Sequence, residues 1–165
     1  MGIISDIKLD YKTNKGNTKG TVITILYRLA SFCHSNKYLK TICFPYLFFY
    51  KHFTQIFFAI ELPCELNIGS GLKIYHGIAL IVHENTIIGN NCVLRQSTTI
   101  GNARPGSKCP KIGNNVEIGC NVCIIGNVVI GDNVIIGAGS VIIKDIPSNS
   151  VVVGNPGRVI KTLSQ

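Results

Sequence analysis

Residues 112–142 read IGNNVE-IGCNVC-IIGNVV-IGDNVI-IGAGSV-I. An isoleucine opens every block: Ile112, Ile118, Ile124, Ile130, Ile136 and Ile142 stand six apart without a miss. Glycine follows directly at Gly113, Gly119, Gly131 and Gly137. A small or β-branched residue stands four places after each opener, at Val116, Val122, Val128, Val134 and Ser140. A fixed hexapeptide period predicts a parallel β-helix, whose short strands wind around a filled core. Earlier copies open at Ile68, Ile74, Leu80, Ile88, Leu94 and Ile100. Three hexapeptides should close one triangular coil, giving about four coils, with residues roughly eighteen apart stacked on one corner.

The grid is disturbed twice. The spacing of eight between Leu80 and Ile88 predicts a two-residue bulge there. It would carry His83 and Glu84, which read best as a solvated loop. Between Ile100 and Ile112 one hexapeptide is replaced by the stretch from Ala103 to Pro110. Insertions in a solenoid emerge as loops on one face, often the binding face. Stacking gives a corner column: His76, Gln96, Cys120 and Ala138 each stand two places after a grid aliphatic. A long thin ligand could lie along that edge with its reactive end at His76. The bland alternative for His76 is a hydrogen-bonded corner histidine; the column and the nearby insertions favour function.

Upstream of the coils the composition changes. Phe and Tyr are concentrated between Tyr27 and Phe58, and the hexapeptide region is almost free of them. This predicts a helical region over residues 1–61 and a β-helix with a tail over residues 62–165. Val22, Ile25, Leu26, Leu29, Ala30 and Cys33 fall at helical spacing, so a helix is expected over residues 21–35. A polar connection at 36–42 leads to a second helix from Pro45 to Phe58. Residues 1–20 are polar and read as loop.

The chain of 165 residues carries a net charge of +8, which favours anionic partners: nucleic acid, an anionic membrane surface or a phosphate-rich cofactor. No Arg/Lys run, RNA-binding aromatic motif or zinc-finger spacing is present, so nucleic acid ranks last. Seven scattered cysteines suit a reduced, cytoplasmic protein without disulfides. Cys120 and Cys123 form a CxxC, but both fall on ordinary grid positions, and no metal is expected. The start is not a secretory signal. The apolar stretch from Thr41 to Ile60 is interrupted by Pro45, Lys51, His52 and Gln55, short of the ~20 apolar residues a spanning helix needs. Packing on the β-helix and peripheral membrane contact both fit it.

Five segments together are specific: Ile74-Tyr75-His76-Gly77-Ile78, Gln96-Ser97-Thr98-Thr99-Ile100-Gly101, Cys109-Pro110-Lys111-Ile112-Gly113, Ile136-Gly137-Ala138-Gly139-Ser140-Val141 and Gly154-Asn155-Pro156-Gly157-Arg158-Val159. On them the region from Ile68 to Lys161 resembles the left-handed β-helix acyltransferases with hexapeptide repeats. Within these it is similar to the serine acetyltransferase branch, above all its colanic acid and capsule biosynthesis members. Tyr27-Arg28-Leu29-Ala30 and the aromatic helix share that likeness. The resemblance implies transfer of acetyl from acetyl-CoA to a hydroxyl, in a homotrimer with active sites between neighbouring β-helices. It implies His76 as the general base and Glu61 as the carboxylate orienting it, one methylene longer than the usual aspartate. A neutral imidazole can take the acceptor's proton. A carboxylate on its other nitrogen fixes the tautomer, and backbone N–H groups near the corner could stabilise the oxyanion.

The resemblance also places Cys120 and Ala138 along the pantetheine arm and Lys144, Arg158 and Lys161 near the nucleotide. Ile143 stands where sugar acetyltransferases often have threonine. Serine-specific members have aspartate where Tyr75 stands, and an arginine–histidine pair in place of Lys108-Cys109. Those groups hold the amino acid's charges, and leaving such charges unpaired in a closed site is costly. Tyr75, Gln96, Lys108 and Cys109 are therefore the candidate acceptor contacts. The expected function is O-acetylation of a sugar hydroxyl in surface polysaccharide biosynthesis. The alternatives are a serine O-acetyltransferase and, in another class, a non-catalytic trimeric scaffold.

Overall fold

The computed structural model describes residues 2–163. Strands of two to five residues build three sheets that run the length of a parallel β-helix. The first sheet stacks Asn67–Ile68, Ile87–Ile88, Lys111–Ile112 and Val129–Ile130. The second stacks Lys73–Ile74, Val93–Leu94, Glu117–Ile118, Ile135–Ile136 and Ser150–Val153, and an antiparallel strand, Arg158–Thr162, closes its far edge. The third stacks Ile81–Val82, Thr99–Gly101, Cys123–Ile125 and Val141–Ile142. Four coils are complete and a partial fifth begins at Ile146, which bridges to Ile130. The grid aliphatics point inward: Ile74, Leu94, Ile118 and Ile136 stack in register and are at most 1% exposed. Each such burial contributes about 1.5–3 kcal/mol.

The register locates each departure from the period. Ile112 pairs with Ile130 and Ile124 with Ile142, the ideal stagger. Ile88 pairs with Ile112, so the six extra residues of that coil leave as the loop between Gly101 and Pro110. Ile68 pairs with Ile88 and Ile74 with Leu94, two residues beyond the ideal, whereas Val82 pairs with Ile100 without excess. The two extra residues therefore lie between Ile74 and Val82. This corrects their expected place between Leu80 and Ile88. Leu80 is buried and fits the grid by residue type, but Val82 occupies the stacked position.

The N-terminal region is helical almost throughout. Its helices are α1 (Ile3–Thr13), α2 (Thr18–His34), α3 (Lys37–Ile42) and α4 (Phe44–Phe58). The expected loop over residues 1–20 is thus α1 and the start of α2, and the expected polar connection contains α3. The polarity that suggested a loop has a different cause. The first coil has no strand below it, and an open strand edge needs partners for its backbone. Asp10 Oδ1 accepts from the N–H groups of Gly71 and Leu72 at 2.7 and 2.9 Å. Asn14 donates to Leu72 O and accepts from Ile74 N–H, and Asn17 donates to Ile74 O. Arg28 donates to Ile68 O and Gly69 O, and Tyr27 and Tyr50 donate to Leu66 O and Leu62 O. Gly20 lets α2 approach this closely; a Cβ there would run into Asn14, Asn17 and the Ile74 carbonyl.

One corner between the first and second sheets carries a ladder of left-handed asparagines. Asn91, Asn115, Asn133 and Asn149 have φ of 55–58°. Each of the first three donates its side-chain amide to the next, at 3.2, 3.0 and 2.9 Å. Asparagine tolerates this backbone better than other non-glycine residues. Asn115→Ala forfeits that tolerance and two ladder bonds. We expect a loss of about 1–2 kcal/mol in chemical denaturation, whereas Asn115→Gly should recover part of it.

Candidate active site

The corner joining the second sheet to the third holds the two-residue insertion, and His76 stands on it. Ser97 donates its N–H to Ile78 O, in the same pattern by which Asn121 bonds Gln96 O and Gly139 bonds Cys120 O. The strictly stacked column is therefore Ile78, Gln96, Cys120 and Ala138. His76 is not in it, which corrects the expected column; it projects from the corner at the column's foot. His76 and Ala79 have φ of 60° and 52°. Gly77 packs so tightly that an added Cβ would lie 2.7 Å from Ile23 Cδ1. The imidazole is exposed while the backbone beneath it is anchored on α2.

Glu61 follows the left-handed C-cap Ala59 of α4. Its N–H bonds Leu80 O and its carbonyl accepts from Val82 N–H, so it forms a bridge with Ile81 below the third sheet. The structure contains no hydrogen bond between Glu61 and His76. Glu61 instead lines a groove of about 640 Å³ between α4 and the start of the solenoid, with Leu47, Phe48, Lys51, Leu62 and Glu84. Tyr75 lies beside His76, ring centroids 6.2 Å apart. Lys73 Nζ and the Arg95 guanidinium each lie 4.6 Å from the Tyr75 ring centroid. Neither cation was singled out by the sequence. The hexapeptide grid aligns Arg95 with Tyr75, each one place after a stacked aliphatic, but carries no signal that their side chains meet.

His83 is not in a bulge. It turns the corner after the third sheet, at the base of the inserted loop. Its Nδ1 accepts the Asn85 N–H at 3.2 Å and lies 3.3 Å from Cys109 Sγ. A nitrogen that accepts a backbone N–H carries no proton, so the thiol is the donor in the second contact. Burial, then the charge of Glu84, raises the Cys109 thiol above its ordinary pKa. Cys109 is buried, whereas Lys108 is exposed on the loop. Gln96 and Cys120 are half-buried and Ala138 is exposed along the corner. Lys144 and Arg158 face one cavity of about 270 Å³ with Ile142, Ile143, Pro156 and Gly157. Lys161 lies outside it, on the closing strand beside Val151. Among the described residues His34, Cys64 and Glu65 form a cluster of metal-ligand types. The Lys40 ammonium already lies 2.7 Å from His34 Nε2 there.

Three comparisons agree with this geometry. The profile of the family Bacterial transferase hexapeptide (six repeats) matches residues 109–144. WcaB of Escherichia coli K12, provisionally named a colanic acid biosynthesis acetyltransferase, is 36% identical over 155 residues, 91% of this chain and 96% of its own. The serine acetyltransferase of Synechococcus elongatus is 39% identical over 112 residues, 67% of this chain and 46% of its own. Among solved structures, serine acetyltransferase from Brucella abortus S19 superposes with a TM-score of 0.85 at 25% identity, over 97% of this chain and 69% of its own. Its complex with coenzyme A gives 0.82 at 26% identity, over 98% and 67%. The Neisseria gonorrhoeae enzyme in complex with serine gives 0.81 at 27% identity, over 94% and 68%. The chain belongs to the hexapeptide-repeat acetyltransferases, in the group that contains WcaB and the serine acetyltransferases.

Proposed function

We propose that this enzyme transfers acetyl from acetyl-CoA to a sugar hydroxyl in surface polysaccharide biosynthesis, with His76 as the general base. The observation that carries the reading is the match to WcaB, which runs over nearly the whole of both chains. The exposed imidazole at the foot of the Gln96–Cys120–Ala138 column supports it. His76 takes the hydroxyl proton as the acceptor oxygen attacks the acetyl carbon, and the proton then passes to the departing CoA sulfur. Glu61 is the candidate to orient the imidazole; that role needs its carboxylate to turn from the groove towards His76.

The corner suits the pantetheine arm because its groups are small: nothing lies within 4 Å of a Cβ built on Gly139. Lys144 and Arg158 suit the nucleotide phosphates, with Lys161 further along the same end. A homotrimer would bring a neighbour's corner to the His76 face, with Lys108 and Cys109 completing the acceptor side. Among the described residues no helix is long and apolar enough to cross a membrane. Helix α4 leaves Phe44, Phe48, Phe49, Ile56 and Phe57 at least half exposed. With the +8 charge this supports peripheral attachment at the cytoplasmic face.

The second reading, serine O-acetyltransferase, is favoured by the solved neighbours, one of them complexed with serine. Release of CoA from acetyl-CoA, measured with L-serine and with sugar acceptors in parallel, separates the two. We expect turnover with sugars and none above background with serine. Turnover of serine alone would overturn the sugar reading. A scaffold without catalysis would show no shift of melting temperature with CoA.

A further inference from the structure

We propose that the acceptor is a saccharide bearing an oxyanion, a carboxylate or a phosphate, held by Lys73 and Arg95 beside His76. The inference rests on the sugar O-acetyltransferase reading and names its acceptor class.

Lys73 and Tyr75 alternate onto the outer face of the second sheet, as period-two geometry requires. Tyr75 donates its N–H to Leu94 O, which sets Arg95 against it in the next coil. Two cations thus meet one ring, each 4.6 Å from its centroid. That is within cation–π range. The ring steadies both side chains, so a ligand loses less side-chain freedom on engaging them.

The charge of this cluster is not balanced. Among the described residues Glu117 is the one carboxylate paired there, 3.1 Å from Arg95 Nη2. Among the described residues Lys73 makes no ion pair. Lys73, Tyr75 and Arg95 are all half-buried, where a net positive charge is screened less than on open surface. The ring centroid of Tyr75 lies 6.2 Å from that of the imidazole. One hexose can present a hydroxyl to His76 and a substituent on the far side of its ring to the two cations. An ammonium in the same place would be repelled.

The test uses the full chain with acetyl-CoA and three acceptors: methyl glucuronoside, glucose 6-phosphate and methyl glucoside. We expect at least one anionic acceptor to show a KM about tenfold below that of the neutral glucoside. Lys73→Met keeps the apolar stem against Tyr75 and removes the charge, and Arg95→Met does the same. Each should raise the anionic acceptor's KM about tenfold, with kcat within about twofold and the glucoside's KM unchanged. The carboxylate and phosphate arms distinguish the two sources of the oxyanion. Equal KM values for all three acceptors, or variants that slow all of them alike, overturn the inference and leave sugar acetylation standing. Turnover of L-serine alone overturns both. Binding is read separately from the rise in melting temperature of the CoA-bound protein on adding the anionic acceptors. If neither gives a rise, or the rise persists undiminished in both variants, the cation site is refuted.

Discussion

His76→Asn should lower kcat by about 10²–10⁴ while leaving coenzyme A binding and melting temperature close to wild type. Asparagine is the informative substitution because His76 has φ of 60°. Alanine would add a backbone penalty of roughly 1–2 kcal/mol that belongs to the left-handed conformation, not to the chemistry. Asparagine tolerates that conformation but cannot serve as a base near neutral pH. The imidazole is exposed, so little packing is lost. The measurement is CoA release at saturating acetyl-CoA, beside a thermal shift with CoA alone. Transfer within a few-fold of wild type would remove His76 from the proton path and direct attention to His83, the other histidine at a coil corner.

The largest stability effect should come from the buried ion pair beneath the first coil. Arg28 Nε meets Asp10 Oδ2 at 2.8 Å, with side chains 8% and 0% exposed. Removing one partner of such a pair costs about 3–5 kcal/mol, because the other charge remains buried without compensation. Asp10→Ala should cost more than Arg28→Met. It leaves the guanidinium unpaired and also strips the Gly71 and Leu72 N–H groups of their acceptor. A loss of this size should lower the melting temperature by about 10 °C for a chain of this length. The double variant should cost less than the sum of the two singles, since the orphaned charge is gone. Strict additivity would show that each residue acts through its backbone partners alone.

The solenoid was legible because its aliphatics repeat at one period and all point inward. The insertion is expected one corner too late for a specific reason. Leu80 is as apolar and as buried as a grid residue, and only the hydrogen bonds from Ile81 to Thr98 and from His83 to Ile100 show that Val82 holds the stacked place. That slip carried His76 into a column it does not share, whereas the stacking of Ile74 on Leu94, and with it Tyr75 beside Arg95, is the same in either placement. Residues 1–20 misled for a related reason. Asp10, Asn14 and Asn17 look like loop residues but are spent on the open edge of the first coil, a use that no local pattern reveals. Glu61 was found by resemblance; its backbone bridge to Ile81 depends on where the first coil begins.

The helical cap has a consequence for the order in which the protein is made. Asp10 and Asn14 bond to groups about sixty residues further along the chain, and Arg28 to groups about forty further on. A ribosome therefore releases these helices long before the strand edge they cover. Until the first coil appears, Asp10 and Arg28 can satisfy one another, but neither has its backbone partners. Once residues 61–74 emerge, the base is completed, and each later coil finds a finished edge to join. Arg158–Thr162 emerges after the coils, and its reversed direction closes the far edge of the second sheet. The chain thus lays the base of the solenoid before the coils that stack on it.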